Sequence, residues 1–235
     1  MAEPLDQRVA AIAALDEPTR RQLYEHVVRQ PEPVGRDEAA TAVGIPRSTA
    51  AFHLDRLVDE GLLDAVYQRR SGRSGPGAGR PAKLYTRSQR QVAVSLPERH
   101  YELAGHLLAA AIDEAENTGE PPRAALHRRA HQVGEDLGRV ARAQPSHADP
   151  DQLVRSALEA SGFEPRTEGA DLVLGNCPFH ALAKDHTALV CGMNLSLLTG
   201  LLRGLDHRGL DAHLDPAPGR CCVRLGPPVA DGCRR

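Results

Sequence analysis

The chain has 235 residues, a formal net charge of −2, 41% apolar residues, only 3% aromatic residues and no tryptophan. That length suits two modest domains with Leu, Ala and Val cores, and the near-neutral balance excludes a globally basic nucleic-acid binder, so any DNA-binding charge has to be local. The apolar stretch 9–15 is short and has acids on both sides. No run approaches the roughly 20 apolar residues of a membrane span, so the expectation is a cytoplasmic protein with no membrane partner.

Residues 36–43 read as a short helix, stopped by Gly44 because glycine tolerates a left-handed cap. Ile45 and Pro46 lead into a second helix over 48–60, with Pro46 suited to its first turn. A strand is predicted over 62–67 and its return over 82–86. The loop between them contains no acid and almost no apolar residue. Helix, turn, helix and basic ribbon in this order predict a winged helix that sits on double-stranded DNA.

A helical period sorts the second helix into faces. Ala50, Leu54, Leu57 and Val58 form the inward stripe, while Ser48, Phe52, Asp55 and Asp59 lie opposite. The N-terminal part of such a helix meets base edges, so Arg47, Ser48, Thr49 and Phe52 are the expected groove contacts. Arg47 suits a guanine and Phe52 a thymine methyl. Asp55 and Asp59 repel phosphate on that face, so affinity has to come largely from the wing. There Arg69, Arg70, Arg73, Arg80 and Lys83, with Arg87 and Arg90 beyond, stand in a stretch free of Asp and Glu. A solvated basic loop is the bland alternative, which its place directly after a helix-turn-helix disfavours. His53 borders the core stripe and is read as a packing residue.

A linker over 88–97 separates the halves. Helices follow over 98–117, with Leu103, Leu107, Leu108 and Ala111 on one stripe, and over 123–142, with Leu126, Ala130, Val133, Leu137 and Val140 on another. Long helices beside a winged helix suit a homodimer on a palindromic operator, or simple packing within their own domain.

All five cysteines, Cys177, Cys191, Cys221, Cys222 and Cys233, lie in the last quarter of the chain. In a cytoplasmic protein that clustering argues against structural disulfides and towards metal or redox chemistry. A helix over 150–160, a hairpin over 163–174, a short helix after Cys177, a long helix from about Ala188 to Leu205 and a last hairpin over 210–225 surround them. His180 follows Cys177 at C-x-x-H spacing and His186 comes soon after. Three thiolates with an imidazole, or four thiolates counting both Cys221 and Cys222, would suit zinc or an iron–sulfur cluster. Adjacent strand residues face opposite ways, so a regular strand offers only one of that pair unless the chain bends after Gly219. The bland reading makes Cys191 and Cys222 small core residues. Cys177 as an enzyme nucleophile beside His180 or His186 is the remaining class, and no other catalytic motif accompanies it, so the chain is not expected to be an enzyme.

With these residues in hand, 5–90 resemble the winged-helix repressors of the ArsR and MarR type. Leu15–Tyr24 resembles the module's first helix, and Ser48–Leu54 with Leu57 and Glu60–Leu63 its recognition helix and exit. The thiolate pairs of metal-sensing ArsR members are missing, since residues 1–90 hold no cysteine. Residues 149–225 resemble the C-terminal domain of regulators related to the Suf-type iron–sulfur biogenesis repressors, through Leu174–Phe179, His186, Cys191 and Cys221–Cys222. That resemblance implies an iron–sulfur cluster held by Cys177, Cys191 and one of Cys221 or Cys222, controlling operator binding. The family's extra cysteine is absent, so His180 or His186 would supply a fourth ligand, and zinc is the alternative.

The expected fold is α+β: a winged helix-turn-helix at 1–90, a helical linker and dimerisation region at 91–145, and an α+β sensor domain at 146–235. The expected function is a DNA-binding transcriptional repressor sensing a cluster, a metal or redox state. A repressor answering to a small organic effector, its cysteines structural, is the alternative.

Overall fold

The computed structural model describes residues 4–68, 81–144 and 149–228, and its contacts divide the chain into two compact units, Met1–Val94 and Ser95–Arg235. The mixed α+β class is the one expected.

The first unit runs α1 (Leu5–Ala14), α2 (Pro18–Val28), β1 (Val34–Gly35), α3 (Arg36–Val43), α4 (Arg47–Asp59), β2 (Leu63–Gln68) and β3 (Ala82–Arg87). Proline at the first position of α2 leaves no orphan N–H there. The Glu17 carboxylate caps the same turn, accepting from the amides of Thr19 at 3.0 Å and Arg20 at 2.6 Å. Burial would raise the Glu17 carboxyl, but these amide bonds and the nearby His53 ring outweigh it and hold it below the usual range. A depressed carboxyl stabilises the fold above its unfolded pKa and loses that contribution as the pH falls through the folded value. Glu17→Ala is expected to cost about 1 kcal/mol at neutral pH, and less in acid, in urea unfolding of the full chain. Gly44 closes α3 at φ 74°, as its residue type requires.

The sheet places β3 between β1 and β2, all antiparallel, with Val34 opposite Tyr85 and Leu63 opposite Arg87. The two-residue β1 was not expected, since two residues carry no period. Leu23, Val34, Ala50, Leu54, Leu57, Leu63 and Tyr85 are buried together beneath α4. The inward stripe of the recognition helix is thus the one its sequence period gives, except that Val58 is only half-buried.

The second unit runs α5 (Tyr101–Thr118), α6 (Pro122–Arg142), α7 (Pro150–Ala160), β4 (Pro165–Glu168), β5 (Asp171–Leu174), α8 (His180–Asp185), α9 (Thr187–Gly204), β6 (Asp211–Leu214) and β7 (Val223–Gly226). Its antiparallel sheet has the order β4-β5-β7-β6. The helices expected as a separate linker share one core with everything that follows: Leu107 and Leu126 are buried with Leu158, Phe179, Met193, Leu198 and Leu225.

The reason lies between α6 and α9. Gly134 and Gly138 of α6 lie against the carbonyls of Leu197 and Leu201, while Gly200 and Gly204 of α9 lie against those of His131 and Glu135. A methyl group at any of these four positions would overlap backbone. Two backbones seated this closely turn α6 so that Leu126, Ala130, Gly134 and Gly138 face inward. Leu137 and Val140, expected in the core stripe, are exposed instead. Helix α9 is long and apolar enough to cross a membrane by length and composition, but 56% of it is buried inside this unit.

Candidate nucleic-acid interface and cysteine cluster

On α4 the outward face carries Arg47, Ser48 and Phe52, all exposed, with Thr49 half-buried beside them. Phe52 is 67% exposed, an unusual position for an aromatic side chain and one that suits contact with a base. Its ring meets His53 edge-on at 5.3 Å. His53 turns inward, its Nδ1 3.7 Å from Glu17 Oε2, which supports packing over base reading. Arg47, at the first position of α4, is paired with Asp37 of α3 at 2.5 Å. Both side chains are mostly exposed, and such a pair is worth at most about 1 kcal/mol, so a phosphate or a guanine could displace the aspartate.

Asp55 does not face DNA as a bare repulsive charge. Its Oδ1 accepts from Lys83 Nζ at 2.6 Å and from Tyr85 Oη at 2.8 Å, joining the recognition helix to the central strand. Burial alone would raise the Asp55 carboxyl, yet these two bonds and the Lys83 charge hold it below its ordinary value. Burial and the same bond push the Tyr85 phenol well above its usual range. Lys83, expected as a free wing cation, is therefore engaged on the protein, its ammonium also 5.4 Å from the Tyr85 ring centre. A cleft between α3, α4 and the ribbon is lined by Arg36, Arg47, Asp55, Tyr67 and Lys83 among others. The expected wing contacts Arg69, Arg70, Arg73 and Arg80 lie outside the described residues.

Four of the five cysteines lie in the described part of the second unit, in two couples. Cys191 of α9 is disulfide-bonded to Cys222, their Cα atoms 6.3 Å apart, while Cys177 and Cys221 are free, buried thiols in contact. Cys221 and Cys222 stand at a bend just before β7. Cys221 meets both Cys177 of the loop after β5 and Asn194 of α9, while Cys222 meets Cys191 of α9. This corrects the expectation that the cysteines form no disulfide. His180 and His186 are exposed, and among the described residues no three His, Cys, Asp or Glu side chains converge as a metal site would need. As placed, the described thiols form two couples. Cys233 lies outside the described residues.

The free couple has a polarised setting. The bond from Cys221, which outweighs burial, lowers the Cys177 thiol to about 7, helped by the Phe179 amide and the Arg99 charge. Cys221 goes the other way, held well above the ordinary thiol range by its bond to Cys177 and by burial. Arg99 donates to the Cys177 carbonyl at 3.1 Å and also bonds Asn176 Oδ1. Asn176 in turn donates to the carbonyls of Glu98 at 3.0 Å and Gly162 at 2.7 Å, which fixes the loop that carries Cys177. Asn194 Nδ2 donates to Cys221 Sγ at 3.2 Å. Asn194 is fully buried, and its Oδ1 has no partner among the described residues.

Sequence reasoning missed the Asp55–Lys83–Tyr85 clasp and Asn194. Each left a partial signal: Lys83 and Tyr85 share a strand face by their spacing of two, and Asn194 follows Cys191 by three on one helix face.

Residues 15–66 match the protein family described as a helix-turn-helix domain. No curated protein and no solved structure matches the chain. The matched segment spans α2, α3, α4 and the start of the ribbon, the same elements that expose Arg47, Ser48 and Phe52. The chain is a DNA-binding transcription regulator with its helix-turn-helix in the first unit.

Proposed function

We propose that the protein is a homodimeric transcriptional repressor whose second unit adjusts operator affinity through the state of its thiols. The observation that carries this is the pairing of the described cysteines, with Cys191 of α9 tied to Cys222 and Cys177 against Cys221. Oxidation and reduction of the Cys191–Cys222 couple would fasten or release α9 from the bend before β7, and α9 is seated backbone to backbone on α6. Exposed Ile112, Leu137 and Val140 on α5 and α6 support a second copy of the chain as partner, matching a two-fold operator.

The test uses full-length protein purified without oxygen. Operator affinity is expected to differ at least tenfold between reduced and diamide-oxidised samples, a coupling of about 1.4 kcal/mol. The Cys191→Ser/Cys222→Ser variant should be fixed at one affinity. Equal affinities in all samples would overturn the thiol reading. Stoichiometric iron with sulfide, or zinc, lost on Cys177→Ser, would place a metal centre on the same cysteines instead. A response to an organic effector in the serine variant would favour a ligand pocket.

A further inference from the structure

Asp55 occupies an odd place for an acid. It shares the outward face of α4 with Ser48, two turns earlier, and Phe52, three residues before it. Half of its side chain is exposed, and it lines the cleft with Arg36, Arg47, Tyr67 and Lys83. A carboxylate on a surface meant for phosphates weakens every complex alike, unless it is neutralised or has a partner of its own.

Both conditions are met by the clasp. Lys83 supplies the compensating charge, so the carboxylate does not repel the duplex as a bare anion. Both donors, Lys83 Nζ and Tyr85 Oη, use the same oxygen, Oδ1. Oδ2 accepts from neither, and among the described residues no other hydrogen bond reaches it. Two bonds from a sheet strand to one oxygen also fix the rotamer, which a free aspartate on a helix surface would not hold. The major groove offers two amino donors, adenine N6 and cytosine N4. Adenine sets its amino group beside the N7 acceptor, which a carboxylate repels and an amide can satisfy. The better complement of a fixed, charge-compensated carboxylate is therefore cytosine N4.

We propose that Asp55 is a specificity-determining residue that accepts a hydrogen bond from a cytosine amino group in each operator half-site, with Lys83 and Tyr85 as its positioning residues. The assignment rests on DNA recognition by α4 and is independent of the thiol reading. It gives the acid a role in choosing sequence, while Arg47 and the wing supply affinity.

The experiment is selection of random duplex DNA by the full-length wild type, Asp55→Asn and Lys83→Met, each checked for an unchanged melting curve. The wild type is expected to enrich a motif with one fixed cytosine per half-site. Asparagine keeps an oxygen for Tyr85 and adds a donor, so Asp55→Asn should move that single position to adenine, with roughly a tenfold change in preference and the rest of the motif intact. Lys83→Met should broaden the same position without moving it. If Asp55→Asn returns the wild-type motif with only a uniform change in affinity, Asp55 acts by charge alone and the assignment is overturned. A wild type that enriches no motif would overturn operator recognition by α4 as well, which separates the two failures.

Discussion

Gly200→Ala is expected to destabilise the second unit by about 3 kcal/mol, the upper end for forcing a methyl group into a packed interior. The added carbon would overlap the His131 carbonyl, and a backbone carbonyl inside α6 cannot swing aside as a side-chain tip would. Gly134→Ala meets the Leu197 carbonyl from the other side and should cost as much. The two substitutions act on one seam, so the double variant should cost less than their sum, because once the helices part for one methyl the second finds room. Urea unfolding followed by a probe in each unit checks this, since a two-unit chain need not unfold in one step. Only the transition of the second unit should move. A Gly200→Ala protein with wild-type stability would mean that α6 and α9 do not approach as closely as described.

Two substitutions two residues apart on α4 should have opposite consequences. Phe52→Ala removes an exposed ring and is expected to leave stability within about 0.5 kcal/mol. It should weaken operator binding by about 1 to 3 kcal/mol, the range of one good base contact or interface anchor. Leu54→Ala removes a fully buried side chain and should cost about 2 to 5 kcal/mol of stability through the cavity it leaves. Its loss of DNA binding should follow the folded fraction and be recovered by cooling to the temperature of maximum stability. Thermal unfolding and fluorescence-anisotropy titration on both variants separate the effects. A Phe52→Ala protein that binds operator normally would remove this ring from the interface.

Much of this arrangement was legible in the amino-acid order, because short-range rules govern it. The inward stripe Ala50, Leu54 and Leu57, the Gly44 stop and the paired strands around Ala65 and Tyr85 follow from period and turn chemistry. The separation of the helices at 118–122 follows likewise. Errors arose where a tertiary neighbour overrode the local pattern. Leu137 and Val140 fit an apolar stripe, but glycines on the adjacent face drew α9 in and rotated the helix. The couples Cys177–Cys221 and Cys191–Cys222 depend on a bend and on contacts across 31 to 44 residues, which spacing alone does not fix. The Asp55 clasp joins a helix to a strand beyond the wing, where sequence shows the charges but not their meeting.

The glycine seam has a mechanical corollary. Helices held apart by long side chains absorb a small displacement by rotamer changes, much as a cushion would. Carbonyl against alpha carbon offers no such give, so α6 and α9 should shift as a single rod or not at all. A tug at Cys191, near the start of that rod, would then reach Arg203 and the end of α6 undiminished.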